Sequence, residues 1–167
     1  MKRRSLAIAM AIFTLTFTAL ASAAAAGQTI FIVRHAETEE GGQERKLSRD
    51  GAERARVLRD MLRSIELGGI YTTDTQRTRA TAAPAAEARH MDVTVYDHKD
   101  LKGLAKTLSD LKKSALVTGH TNTIPALIKE LGIPNEIDVT DAEYDNLFIV
   151  TLEEGRTPLL LHLHYGY

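Results

Sequence analysis

Apolar positions fall in blocks along this chain, and the period inside each block changes from strand-like to helix-like and back. Thr29 to Val33 run apolar or β-branched without polar alternation, as a strand buried on both faces does; with Gln28 they form the first predicted strand. Glu37 to Lys46 is polar and contains Gly41-Gly42, a loop. Ser48 or Asp50 caps a predicted helix in which Ala52, Ala55, Leu58, Met61, Leu62 and Ile65 recur at helical spacing, and Gly68-Gly69 is read as its stop. Ile70 to Thr72 is a short second strand. Thr73-Asp74-Thr75-Gln76 has the form of a capping box, and the alanine-rich helix it opens should kink or restart at Pro84.

The alternation continues to the end of the chain. Val93 to Tyr96 is a third strand, and Leu101, Leu104, Ala105, Leu108 and Leu111 mark a third helix. Ala115 to Thr118 is a fourth strand, with Gly119 to Asn122 as the turn leading out of it. Pro125 suits the first turn of a fourth helix, which Gly132 and Pro134 end. Ile133 to Asn146 is acidic and irregular. Leu147 to Leu152 and Leu159 to Leu163 then read as an antiparallel hairpin around Glu153 to Arg156. Strands alternating with helices imply a three-layer α/β sandwich with a mostly parallel central sheet.

The first residues follow a different logic. Lys2, Arg3 and Arg4 precede an apolar run from Leu6 to Leu20, and Ala21-Ser22-Ala23 has the small-x-small form of a cleavage site. Residues 1–23 are therefore expected to be a signal peptide and 24–167 the folded domain. The run is short for a membrane span, so no stable membrane anchor is expected after cleavage, and the mature chain is expected in the periplasm or outside the cell. Losing Lys2, Arg3 and Arg4 takes the 21 basic residues to 18 against 22 acidic ones, a net charge of −4. That balance argues against nucleic acid as a partner. With no cysteine in the chain, disulfides, thiolate nucleophiles and cysteine metal sites are excluded.

Three strand-to-helix junctions carry the candidate chemistry. Arg34-His35 follows the first strand, Thr73 and Arg77 follow the second, and Gly119-His120 follows the fourth. In a parallel sheet all three lie at the same edge, where open α/β folds bind ligands. Two arginines, two histidines and helix N-terminal amides there suit a phosphoryl group. Each has a plainer reading, Arg34-His35 as a polar strand end, Arg77 as a solvated helix position, His120 as a cap. Thr121 and Asn122 are good cap residues first and phosphate contacts second.

Taken together these segments resemble the histidine phosphatase superfamily, the phosphoglycerate-mutase-like fold. Val33-Arg34-His35-Ala36-Glu37-Thr38 is similar to its Arg-His-Gly motif, and Leu47-Ser48-Arg49-Asp50-Gly51 to its Leu-Thr-x-x-Gly segment. The stretch Tyr71 to Thr81 resembles the Ser-x-x-x-Arg-x-x-x-Thr helix start, and Val117 to Thr123 the Gly-His-Ser-Asn-Thr motif. The resemblance implies that His35 is the phosphoryl-accepting nucleophile, that Arg34, Arg77 and His120 hold the phosphoryl oxygens, and that no metal or other cofactor takes part. A phosphorylated small molecule or a phosphoprotein is the implied substrate. A phosphate-binding or sensor module without turnover is the alternative.

The chain also departs from that pattern. Ala36 replaces the motif's glycine, and Gly41 stands where mutases carry an asparagine. Mutase-like members have a glutamate after the third strand as general acid, whereas Tyr96-Asp97-His98-Lys99-Asp100 offers none. Asp97 is taken as the catalytic acid, with Asp100 and His98 left open and a solvated loop as the plain reading. Without an acid, substrates with good leaving groups are favoured. His162 and His164 share a strand face with no third ligand nearby, so no metal site is assigned. The acidic run 138–145 is read as a solvated connection, and the rim of the pocket as its alternative.

Overall fold

The computed structural model describes residues 27–42, 44–134 and 136–166. The leader assigned to residues 1–23 lies outside them, as does Tyr167. Ten elements follow in order: β1 Gln28–Arg34, α1 Arg49–Leu62, β2 Leu67–Thr72, α2 Gln76–Glu87, β3 Val93–Val95, α3 Leu101–Leu111, β4 Ser114–Gly119, α4 Thr123–Glu130, β5 Asn146–Leu152 and β6 Leu159–His164. They form one six-stranded sheet in the order β3-β2-β4-β1-β5-β6, parallel throughout except that β5 runs against both of its neighbours.

Continuous apolar runs on β1 and β4 make sense because both faces of the sheet are covered. Ile30, Ile32, Ala115 and Val117 point to the side where Leu104 and Leu108 of α3 and Ile124 and Leu127 of α4 pack. Phe31, Val33 and Leu116 point to the other, against Leu58 and Leu62 of α1 and Ala82, Ala85 and Ala86 of α2. This is the three-layer sandwich with a mostly parallel sheet expected above. Since α1 leaves β1 on one face and α4 leaves β4 on the other, a crevice opens between these two strands at their C-terminal ends, where strand order reverses.

Three local expectations need correction. Gly68-Gly69 does not stop α1, which ends at Leu62; both glycines belong to β2, and the register with β4 slips between Leu67 and Gly69. Close approach is their physical reason: a Cβ on Gly68 would lie 2.6 Å from Cβ of Lys113, and one on Gly69 2.7 Å from the Tyr71 ring. The cap of α2 is Thr75, whose hydroxyl accepts from the Thr78 amide, while Thr73 is buried and its hydroxyl meets that of Thr78 at 3.0 Å. Pro84 does not restart α2, which runs unbroken through it with Ala82, Ala85 and Ala86 buried around it. The hairpin β5–β6 forms as expected, and among the described residues no helix is long and apolar enough to cross a membrane.

Candidate active site

The pairing of β1 with β4 sets the geometry. Arg34 lies opposite Gly119, and the amide of His35 donates to the Gly119 carbonyl at 2.9 Å, so the residues that follow both strands leave the sheet side by side. The rings of His35 and His120 meet edge to face with centroids 5.4 Å apart. On the far side of β4, β2 delivers Thr73, and the first turn of α2 brings Arg77, whose Nη2 donates to His120 Nε2 at 2.9 Å. Arg34, His35, Arg77 and His120 are thus brought together along one wall of a cleft of about 860 Å³.

Hydrogen bonding fixes both imidazoles. Nδ1 of His35 lies 2.9 Å from the Ala36 carbonyl, an acceptor only, so Nδ1 carries the proton and Nε2 keeps its lone pair. Arg77 can only donate, so His120 accepts at Nε2 and holds its proton on Nδ1, 3.5 Å from the Thr73 hydroxyl. Burial lowers the pKa of His35 to about 4, with Arg34, Arg77 and His120 acting the same way and the bond to Ala36 opposing. Burial and the charges of Arg77, Arg34 and His98 bring His120 to about 4 as well. Both rings are neutral at ordinary pH, one of them with an unused nitrogen lone pair.

The turn that carries His35 is fastened from two sides. Ala36 is fully buried, and its amide donates to Thr81 Oγ1 at 2.9 Å, which in turn donates to the Arg77 carbonyl at 2.8 Å. Glu37 receives Nε and Nη2 of the buried Arg54 at 2.7 to 2.9 Å, and Arg54 Nη1 donates to the carbonyl of Tyr165, whose side chain packs in the core beside α1. The position of His35 is therefore referred to α1, α2 and the end of the chain at once.

The acidic connection folds back over the site. Nη1 of Arg34 donates to the carbonyls of Thr140, Asp141 and Glu143 at 2.8 to 3.1 Å, and its Nη2 lies 3.3 Å from Asp141 Oδ1. Tyr144 covers the Arg34 guanidinium at 4.4 Å and reaches within 5.9 Å of the His35 ring. Thr121 donates its hydroxyl to Asp141 at 2.6 Å. The Nε of Arg34, a residue only 5% exposed, has no hydrogen-bond partner among the described residues.

Asp97 is not brought in. Its carboxylate accepts from the Lys99 amide at 2.9 Å in an exposed turn, and Asp100 caps α3 through the Gly103 amide; of that loop it is His98 that lines the cleft. Asn122 reaches the cleft but makes no side-chain cap; Thr123 receives the His120 amide at 2.8 Å instead. His162 bonds Asn146 and stacks on Phe148, and among the described residues no three His, Asp or Glu side chains are grouped to hold a metal ion.

Asp141 and Tyr144 line the cleft, so the acidic run 138–145 takes its alternative reading as the rim of the pocket rather than that of a solvated connection; the lining residue that sequence reasoning missed is Arg45. Arg45 adds a third guanidinium from the loop pinned by the Thr38–Leu47 bridge, and its buried Nε has no hydrogen-bond partner among the described residues. Its place just before the Leu47-Ser48 segment was the only signal for it.

The model of the histidine phosphatase superfamily (branch 1) matches residues 30–106, a stretch that includes His35 and Arg77 but not His120. A comparison with curated protein sequences gives no match. Among solved structures, the chain is similar to the protein histidine phosphatase SixA complexed with tungstate, at 18% identity and TM-score 0.68, over 82% of this chain and 97% of that one. It is also similar to the alpha-ribazole phosphatase from Shigella flexneri, at 13% identity and TM-score 0.67, over 83% and 96%. The phosphoglycerate mutase from Plasmodium falciparum aligns at 14% identity and TM-score 0.57, over 84% and 95%. The chain thus has the phosphoglycerate-mutase-like α/β fold, and within it the segment bearing His35 matches the histidine phosphatase superfamily.

Proposed function

We propose that this chain is a histidine phosphatase that hydrolyses a phosphoryl substrate through a phosphohistidine on His35, without a metal. The observation that carries the reading is the commitment of His35 Nδ1 to the Ala36 carbonyl, which leaves an unprotonated Nε2 beside Arg34, Arg77 and His120. In the first step Nε2 bonds to phosphorus as the bond to the leaving group breaks; the leaving group departs with that bond's electron pair and takes a proton from solvent, and Nδ1 keeps its proton and its acceptor. In the second, water attacks phosphorus, the P–N bond breaks, and inorganic phosphate leaves with the released proton passing to solvent. The guanidinium groups act by position and charge on the transferring oxygens.

With Asp97 accepting from the Lys99 amide and Asp100 from the Gly103 amide, substrates that need little help in releasing their leaving group fit best. The protein histidine phosphatase and alpha-ribazole phosphatase folds named above span phosphoprotein and small-molecule substrates, and either class suits this site. Export after removal of residues 1–23 is part of the same proposal.

Protein incubated with a ³²P-labelled phosphodonor and quenched should carry an alkali-stable, acid-labile label that is absent from His35→Ala, and chelator should not alter turnover. Reversible binding with no transfer would assign the chain to the non-catalytic alternative, and activity abolished by chelator would refute the metal-free route.

A further inference from the structure

The residues lining the cleft divide by charge with depth. Its buried and half-buried part holds three guanidinium groups, those of Arg34, Arg45 and Arg77. The exposed part is Asp74, His98, Asn122 and Asp141, two carboxylates and no guanidinium or ammonium group among the described lining residues. Asp74 is drawn outward by Arg79, which bonds it at 2.7 Å. Asp141 is different. Its side chain is 87% exposed, yet Thr121 Oγ1 and Arg34 Nη2 hold its Oδ1, and Arg34 Nη1 anchors the backbone on either side of it. The hydrogen bond from Thr121 and the charge of Arg34 keep it ionised. A fixed negative charge therefore stands at the mouth of a cleft whose floor is positive.

We propose that Asp141 determines specificity by charge, so that the site takes phosphoryl compounds whose leaving group is cationic, and disfavours those bearing a second anion. The inference rests on the phosphoryl-binding reading above. With the phosphoryl group on the arginine floor, the leaving group must point out past the rim. An ammonium or guanidinium there faces the Asp141 carboxylate, whereas a carboxylate or second phosphate faces its repulsion. Phosphorylated side chains with a good leaving group, flanked by lysine or arginine, have the required pattern, and aminoalkyl phosphates serve as binding probes of the same charge.

Phosphoethanolamine and phosphoglycolate form a matched test pair, similar in size and opposite in tail charge. Each is titrated into His35→Asn protein, which cannot turn them over, with Asp141 intact, as Asp141→Asn and as Asp141→Glu. Phosphoethanolamine should bind more tightly by about three- to tenfold, the scale of one exposed charge near a ligand. Asp141→Asn, which can still accept from Thr121, should bring the two within about twofold, and Asp141→Glu should keep the preference. Equal affinities in the parent protein, no binding of either ligand, or a preference that survives Asp141→Asn would overturn the proposal. Phosphate release by the native protein is assayed alongside. Preference without release from any donor refutes hydrolysis and leaves the charged rim standing, whereas release without preference refutes the rim alone.

Discussion

Thr81 is the most direct mechanical link between helix α2 and the nucleophile turn, so replacing it by valine isolates that link. Valine has nearly the same shape, and Thr81 is fully buried, so the change leaves packing intact and removes only the hydroxyl. The Arg77 carbonyl keeps its helical partner, the amide of residue 81. The amide of Ala36, itself fully buried, loses the acceptor it has and is shielded from water. An orphaned buried donor costs about 1–3 kcal/mol. In a domain of this size each kcal/mol corresponds to about 3–5 °C, so Tm should fall by about 3–15 °C. The rate should fall as well, because the Ala36 carbonyl that orients His35 belongs to the same turn, and a displacement near 1 Å costs about a hundredfold. Thr81→Ser keeps the hydroxyl and loses one methyl group, worth about 1 kcal/mol, and should retain the rate. Thermal melts and the single-turnover rate of His35 phosphorylation measure both effects. If the valine protein melts with the native one, or the serine and valine proteins are equally impaired in rate, the Thr81–Ala36 bond does not position His35.

Three further outcomes follow from the geometry. His35 and His120 titrate near 4 when folded against 6.5 for an ordinary imidazole, so between these values the unfolded chain binds more protons and stability drains away as pH falls. Melts from pH 7 to pH 4 should show this slope, and it should be shallower in His120→Asn; equal slopes would mean that burial does not hold that ring neutral. Glu37→Ala removes the carboxylate that neutralises the buried Arg54 and should cost about 3 kcal/mol in denaturant unfolding, part of which a second change, Arg54→Met, restores. Arg45→Ala should weaken inorganic phosphate binding by about tenfold in a calorimetric titration, the value of a charged donor aimed at the ligand; unchanged affinity would place that guanidinium outside the phosphate seat.

What could be read in advance was whatever depends on a few neighbouring residues. The uninterrupted apolar run of β1, the helical spacing from Ala52 to Leu62 and the hairpin β5–β6 each carry their own period, and parallel alternation alone implies that strand ends share an edge. The places of Arg34, His35, Arg77 and His120 followed from that rule. Gly68-Gly69 misled because a glycine pair signals a helix stop and a close-packed strand equally well in one dimension; Lys113 and the ring of Tyr71 decide which. Asp97 misled because nothing local shows which way a loop carboxylate turns, and the nearest amide, that of Lys99, captured it. Arg45, Asp141 and Tyr144 reach the cleft only because separate loops fold back onto it, and Arg34 gathers three carbonyls from a segment far along the chain. Period and turn chemistry are short-range properties of the polymer and are written in the sequence. The charge at the mouth of the cleft comes from closing distant loops against one buried cation, and only the tertiary structure decides that.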